Sequence, residues 1–383
     1  MTEVVMAMAK RTPIGKIGGQ LSTLEPELLL APLIRDIVSE AHVPPEWIDD
    51  VVIGNVVGPG GNIARVAALE AGLPVTVPGL TIDRQCGSGL EAIHLAARFI
   101  QSGAGEVYLA GGVESTSRAP WKMFRPELLA GTPRLYTRAP FTPSAYGDPD
   151  MGVAAENVAR RYNISREAQD LYALKSHQKA VNAQRTGRYG QEIVPLQVNG
   201  GWVAEDECPR PDTSIEKLQA LKPVFMEQGT VTAGNACPIN DGAALVLLLS
   251  REKCEQLNLK PVLRFVDAQT VGVDPRYLGI GPVSAVNRLL SRQRLRIADI
   301  DRMEFNEAFA SQVLASLEEL QFPQDKVNPG GGALALGHPY GASGAILMTR
   351  LYAEMLQNPF RRGIAALGIG GGMGLAVFVE AVE

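Results

Sequence analysis

Four features of this chain have residue types and settings suited to acyl-transfer chemistry. Cys86 lies in Thr81-Ile-Asp-Arg-Gln-Cys86-Gly-Ser-Gly-Leu-Glu-Ala, at the start of a glycine-punctuated helix. Unpaired backbone N–H groups and the positive end of the helix dipole there favour thiolate over thiol, and a thiolate is a nucleophile that can carry an acyl group. His338, one of four histidines, sits between Gly330-Gly-Gly-Ala-Leu-Ala-Leu-Gly337 and Pro339, where the backbone is fixed and close approach is allowed. Asn306, in Glu304-Phe-Asn306-Glu307-Ala308-Phe309-Ala310, stands between a strand and a helix. The backbone amides of Gly368-Ile-Gly370-Gly371-Gly372-Met-Gly374 can face a ligand. Singly, each has a plain reading as a small buried thiol, a turn residue, a helix cap or tight packing. Together they supply the nucleophile, base and oxyanion donors that acyl transfer needs.

Positioning such a set takes a sizeable scaffold. The 383 residues suit two or three domains, or one domain duplicated. Hydrophobic residues make up 46% and charged residues 20%, the composition of a globular enzyme. A formal charge of −5 argues against a nucleic-acid partner. The four cysteines form no disulfide framework and show no Cys/His ligand spacing, so no metal is expected. No stretch reads as a signal peptide or a membrane span, and the expected location is the reducing cytoplasm.

Along the chain, strand signals at Val4 to Ala9 and Asp50 to Gly54 alternate with helical spacing at Glu25 to Ala41 and Asn62 to Glu70. The helix opened by Cys86 buries Leu90, Ile93, Ala97 and Ile100 on one face and ends at Gly103. A buried strand follows from Glu106. This alternation predicts a largely parallel α/β sheet. From about Arg118 to Asn240 prolines and arginines are frequent, and one long helix stands out, near Ser165 to Arg188 with a serine N-cap. This stretch reads as a loop-rich insertion before a buried strand from Asp241. Near the C-terminus, Gly341-Ala-Ser-Gly-Ala-Ile echoes Gly87-Ser-Gly-Leu-Glu-Ala-Ile, and each leads through a helix to a buried strand and a glycine turn. An internal duplication accounts for the echo.

With these motifs in hand, the chain resembles the thiolases, which condense or cleave acyl-CoA thioesters. The resemblance rests on Arg11-Thr-Pro-Ile-Gly-Lys, Cys86-Gly-Ser, Met151-Gly-Val-Ala-Ala-Glu-Asn, Gly229-Thr-Val-Thr-Ala-Gly-Asn, Asn240-Asp-Gly-Ala-Ala, Gly272-Val-Asp-Pro, Asn306-Glu-Ala-Phe, Gly337-His-Pro and Gly370-Gly-Gly-Met-Gly, in family order over essentially the whole chain. It implies an α/β thiolase fold: duplicated βαβαβαββ halves in five αβαβα layers, with an inserted loop domain. The expected division is 1–117 plus 241–265 for the first half, 118–240 for the loop domain and 266–383 for the second half. By position, Cys86 is the residue acylated and His338 its base. Asn306 holds a water that forms one oxyanion hole with His338, and the N–H groups of Cys86 and Gly370 form the other. Met151, Arg210, Lys217, Phe225, Ala233 and Cys237 match positions that grip coenzyme A, and Ala308 and Phe309 line the floor by the thioester. The resemblance implies coenzyme A and acyl-CoA as substrates with no tightly bound cofactor, and a homodimer or dimer of dimers as the assembly.

One departure bears on function. Thiolases carry a second cysteine in the C-terminal turn, as Cys-x-Gly, and here the turn reads Gly368-Ile-Gly370. That cysteine is the base for carbon–carbon chemistry, which glycine cannot replace, whereas acylation of Cys86 does not require it. Three readings follow: an acetyl-CoA acetyltransferase-like enzyme on short acyl-CoA with weakened C–C chemistry; an acyltransferase or hydrolase without it; or a non-catalytic acyl-CoA-binding or scaffolding subunit. Asp150 stands where many relatives have a histidine before the methionine, and the basic residues of Arg118 to Arg138 suggest a rim for the coenzyme A phosphates.

Overall fold

The computed structural model describes residues 2–128, 130–136 and 138–382. Its main sheet has ten strands. Nine of them, labelled here in chain order, are β1 (Val4–Arg11), β2 (Asp50–Gly54), β3 (Gly79–Ile82), β4 (Val107–Ser115), β5 (Asn240–Ser250), β6 (Leu263–Gly272), β7 (Arg302–Phe305), β8 (Arg362–Ile369) and β9 (Met373–Ala381). They lie in the order β7-β8-β9-β6-β1-β5-β4-β2-β3. The duplication is visible in this order. β2-β4-β5-β1 is joined by one parallel and two antiparallel pairings, and β7-β8-β9-β6 repeats that pattern. The two runs meet edge to edge over a short overlap in which Val4, Val5 and Met6 face Phe265, Arg264 and Leu263.

The sheet is mixed rather than largely parallel. Only β2–β3, β2–β4 and β7–β8 run parallel. The chain leaves the βα alternation after the fourth strand of the first half and the third of the second, and returns antiparallel: β4 returns as β5 after the insertion, and β8 turns straight back into β9. An antiparallel return needs no helical crossover, so helix-strand alternation alone could not reveal it.

Layering follows from the period-2 pleat. On β4, Tyr108 and Ala110 face the central core while Val107, Leu109 and Val113 face the outer core beneath helices α1 (Pro26–Glu40) and α2 (Ile63–Glu70). On β8, Ala365, Leu367 and Ile369 face the central core while Ile364 and Ala366 face the outer core on the other side. The central layer contains α3 (Ser88–Ser102) and, from the second half, α8 (Tyr340–Gln357). The remaining helices discussed here are α4 (Met151–Arg161) and α5 (Arg166–Arg185) in the insertion, and α6 (Gly281–Gln293) and α7 (Ala310–Leu320) on the second outer face. Leu90, Ile93, Ala97 and Ile100 of α3 are fully buried. α3 and α8 touch backbone to backbone: a Cβ at Gly89 would come within 2.6 Å of the Gly341 carbonyl oxygen, and one at Gly344 within 2.5 Å of the Leu90 nitrogen. Glycine at both positions lets the two helices that lead from the candidate site cross in contact.

A buried ion cluster ties the insertion to both halves. The Arg11 guanidinium, with no exposed surface, donates to Glu192 at 2.8 Å and to both Asp206 oxygens at 2.6 and 2.9 Å. Arg350 of α8 reaches Glu192 and Glu304, both at 3.3 Å, and the Tyr189 ring lies 5.1 Å from each guanidinium.

Candidate active site

Cys86 sits on a sharp turn between β3 and α3. Gln85 before it has φ 49°, a left-handed conformation that costs a non-glycine residue about 1 kcal/mol. Asp83 Oδ1 accepts the Gln85 N–H at 2.7 Å and holds that geometry. Ser88 closes the turn: its hydroxyl donates to the Gln85 carbonyl at 2.6 Å and accepts the Arg84 N–H at 2.8 Å. The partly buried thiol opens on a cavity of about 680 Å³ whose lining includes Gly370, Met151, Phe141 and Tyr340. The Gly370 N–H is close enough to the sulfur to favour its ionised form. The turn that presents this N–H, Gly370-Gly371-Gly372, has φ of 85° and 81° at its last two residues, a backbone suited to glycine.

The ionisation state differs from the expectation of a thiolate. Burial pushes the Cys86 thiol up to about 11, against the pull of the Gly370 N–H. Removing solvent from the charged form outweighs the helix end and that N–H, so the resting residue is a neutral thiol.

His338 is buried, and burial holds its imidazole down to about 4, so it too rests neutral. Its Nδ1 lies 2.5 Å from Ser343 Oγ, and that hydroxyl donates its single proton to the Pro339 carbonyl at 2.9 Å. With its proton on the Pro339 carbonyl, Ser343 accepts from Nδ1–H, the tautomer that leaves the Nε2 lone pair free. Asn306 Nδ2 lies on the Nε2 side at 3.5 Å. The histidine backbone is pinned by the first half of the chain: Asn240 Oδ1 accepts its N–H at 2.9 Å while Asn240 Nδ2 donates to the Gly15 carbonyl at 2.9 Å. A Cβ at Gly337 would come within 2.3 Å of the Asn240 side chain, so that clamp requires glycine. His338 meets Tyr340 edge-on at 5.2 Å between ring centroids, and Tyr340 lines the Cys86 cavity.

Glu114, at the end of β4, binds the two halves behind the cavity. It accepts from Val56 N at 3.1 Å, Val57 N at 3.1 Å, Asn55 Nδ2 at 3.0 Å and Gly341 N at 2.9 Å. Burial pushes its carboxyl up to about 7 against those donors.

Cys86 and Gly370 line one cavity, and the neutral imidazole of His338 stands against Tyr340 and bridges to Ile239 in that cavity's wall, a set of groups of the kind that thioester chemistry uses. The family model described as "Thiolase, N-terminal domain" matches residues 4–252, and "Thiolase, C-terminal domain" matches residues 259–381. The chain belongs to the thiolase family. It is 50% identical over 382 residues, 99% of both chains, to "Putative acetyl-CoA C-acetyltransferase VraB" of Staphylococcus epidermidis. It is 49% identical over 378 residues, 98% of both chains, to the protein of the same name from Staphylococcus aureus. The crystal structure of the Bacillus anthracis acetyl-CoA acetyltransferase superposes with a TM-score of 0.94 at 40% identity, covering 100% of this chain and 99% of that one. The fold is the thiolase fold, and the protein is a thiolase-type enzyme.

The other sequence-expected residues of this thiolase fall into two groups. Phe225 and Phe309 meet edge-on with centroids 6.2 Å apart, and Cys237 N donates to the Ala308 carbonyl at 2.9 Å. Gly152 packs directly under Phe225, which brings Met151 beside this group, and Ala233 lies exposed in the turn two residues before Asn235, whose carbonyl accepts the Ala310 N–H. Arg210 and Lys217 stand apart from the Cys86 cavity. Arg210 lines a separate cavity of about 270 Å³ with His177, Asn182 and Arg185, and Lys217 is paired with Asp212 at 2.7 Å. Two cations of the expected basic rim are neutralised, Arg118 by Glu25 at 2.8 Å and Arg138 by Asp148 at 2.9 Å. Asp150 is an exposed residue 3.5 Å from Arg138.

Sequence reasoning passed over Ser343, Glu114, Tyr340 and Phe141. Only Ser343 left a signal, since the repeated Ser-Gly pairs its environment with that of Ser88. Each serine sits at the start of a central helix and hydrogen-bonds the turn that carries a reactive side chain.

Proposed function

We propose that this thiolase transfers short acyl groups from coenzyme A through a thioester on Cys86, as in acetyl-CoA + acetyl-CoA ⇌ acetoacetyl-CoA + CoA, with the carbon–carbon step slowed by Gly368. What supports the reading is that Cys86 and Gly370 line one cavity while His338, beside Asn306, is joined to two of that cavity's other lining residues, Tyr340 and Ile239. The names of the relatives support the substrate class.

In this reading the thiol attacks the thioester carbonyl while His338 Nε2 takes its proton. Burial raises the thiol and lowers the imidazole, so a prior, separate proton transfer between them would create two charges that the surroundings disfavour. Proton transfer concerted with attack avoids the isolated ion pair. Negative charge on the carbonyl oxygen is met by the donors around the site, the N–H groups of Cys86 and Gly370 among them. The carbon–sulfur bond to coenzyme A then breaks, and His338 returns the proton to the departing sulfur. Condensation further needs a base at the α-carbon of a second acyl-CoA, and residue 368 has no side chain. Gly368 thus favours, as a second reading, acyl transfer or hydrolysis without C–C bond formation.

Intact-protein mass spectrometry after exposure to acetyl-CoA or acetoacetyl-CoA tests the proposal. One acetyl mass on the wild type and none on Cys86→Ala is expected. A saturated wild-type sample with no adduct, yet with calorimetric coenzyme A binding, would establish a binding subunit instead.

A further inference from the structure

The helix that follows His338 begins without a cap of its own. Pro339, at its N-cap position, offers no side-chain acceptor, so the first-turn N–H of Gly341 has no partner within α8. The partner comes from the other half of the chain. Glu114 Oε2, 227 residues earlier, accepts that N–H at 2.9 Å, and a carboxylate is the charge that a helix N-terminus favours. The same oxygen accepts the Val56 N–H, while Oε1 accepts the Val57 N–H and Asn55 Nδ2. Glu114 has no exposed surface, and all four of these partners are donors. The joint is tight: a Cβ at Gly341 would come within 2.6 Å of the Val113 carbonyl oxygen and 2.9 Å of the Gly54 carbonyl oxygen. Both sides of it reach the candidate site. Val56 and Val57 line the Cys86 cavity, as does Tyr340 beside Gly341, and Ser343 in the same helical turn accepts His338 Nδ1–H.

We propose that Glu114 is a positioning residue for acylation: as a carboxylate it docks the start of α8, and with it the His338–Ser343 pair, against the cavity wall, and on taking a proton it loosens that joint and slows the reaction. The catalytic part of the inference rests on the Cys86 acyl-enzyme reading. A carboxyl proton would set an O–H donor among four N–H donors and strand one of them in a buried place. Burial holds Glu114 up to about 7 against those donors, so the carboxylate that docks α8 is present above neutral pH and is lost as pH falls through 7. The titratable groups that face it are Asp83 and Cys86 on the turn after β3 and Tyr340 on α8. Asp241, next to its pairing partner Gly242 on β5, is turned to the Ser117 N–H instead. His338, near 4, and Cys86, near 11, keep one protonation state each across neutral pH, which leaves that interval to Glu114.

The test is the rate of Cys86 acylation by acetyl-CoA, followed by intact mass between about pH 5.5 and 8.5. The wild-type rate is expected to rise about tenfold over that range and to level off above neutrality. Glu114→Gln keeps the size of the side chain, removes the titration and sets an amide NH₂ against two of the four donors. It is expected to slow acylation about tenfold or more at pH 8, to flatten the profile and to leave the calorimetric Kd for coenzyme A within about twofold. Hydrogen exchange of residues 338–346 reads the docking without catalysis, and is expected to be about tenfold faster in Glu114→Gln and in the wild type at low pH after correction for intrinsic exchange. A flat wild-type profile would overturn the proposal. So would a limb that persists in Glu114→Gln, which would belong to another group, such as Glu304, the other carboxyl that burial raises to about 7. Unchanged exchange in the variant would refute the docking. Wild-type protein that is acylated at no pH would overturn the Cys86 reading, and the exchange data would then decide the role of Glu114 in holding α8.

Discussion

Placing a cysteine at position 368 tests the proposal that Gly368 slows the carbon–carbon step. A Cβ built on Gly368 meets the Leu278 carbonyl oxygen at 3.3 Å and Gly279 at 3.6 Å, with nothing closer. The backbone there is ordinary strand, since β8 runs to Ile369 and Gly368 pairs with Gly374. Gly368→Cys therefore asks only for a shift of a few tenths of an ångström, and the lost flexibility of the unfolded chain offsets part of any strain, by up to about 1 kcal/mol. The fold should survive with unchanged circular dichroism. A positioned general base is worth about 10² to 10⁴ in rate, or roughly 3–5 kcal/mol of barrier. A cysteine set only approximately should still raise thiolysis of acetoacetyl-CoA by at least about tenfold. Gly368→Ala serves as the control for adding a Cβ without a thiol. Acylation of Cys86 by acetyl-CoA, measured by intact mass, reports whether the first half-reaction is undisturbed. If both variants fold and acylate like the wild type, and Gly368→Cys shows no gain in thiolysis, the missing base is not what limits this enzyme.

Other consequences of the site can be checked separately. With the Cys86 thiol pushed up to about 11, its alkylation by iodoacetamide should rise about tenfold per pH unit from 7 to 10, and a plateau near pH 8 would show a thiolate that burial does not suppress. The same shift has a sign for stability: the folded state holds its proton longer than an unfolded cysteine near 9, so this contribution is present below pH 9 and is lost as pH rises toward 11. Ser343→Ala removes the acceptor of His338 Nδ1–H, and stranding that buried donor should slow acylation about tenfold or more. An unchanged rate and pH profile would mean the tautomer is fixed some other way. Arg11→Ala leaves Glu192 and Asp206 buried without a principal partner and should cost about 3–5 kcal/mol in urea unfolding. Arg11→Lys should recover only part of it, because an ammonium cannot bridge both carboxylates in the same plane.

Much of the scaffold was legible because local signals agreed with the tertiary demand. The four apolar residues assigned to one face of the helix after Cys86 are all fully buried, and the helix ends on Gly103 at φ 78°. Ser165 caps α5 by accepting the Ala168 N–H, as its position suggested. α4 escaped notice. Its buried face consists chiefly of Gly152, Ala154, Ala155, Val158 and Ala159, small residues with weak apolar contrast, and Gly152 is there to admit the Phe225 ring. The ionisation of Cys86 was misjudged because the sequence displays the helix end but not the protein packed around the sulfur. The Arg11 cluster was equally hidden: its carboxylates lie 181 and 195 residues away in sequence, and no spacing rule links them.

The geometry also bears on whether the proposed acylation depends on a side chain at position 368. The Gly370 N–H is aimed by backbone: β8 and β9 set the ends of the hairpin, left-handed glycines form its tip, and the Gly372 carbonyl accepts the Val273 N–H at 2.7 Å. None of these restraints passes through a side chain at 368. The imidazole is likewise independent of that position, fixed through Ser343, Pro339 and Asn240. On the proposed acyl-enzyme route the first half-reaction would draw on backbone and on α8, and only the carbon–carbon step would draw on a side chain at 368. A substitution there would then change which second substrate reacts with the acyl-enzyme while leaving in place the groups proposed to make it.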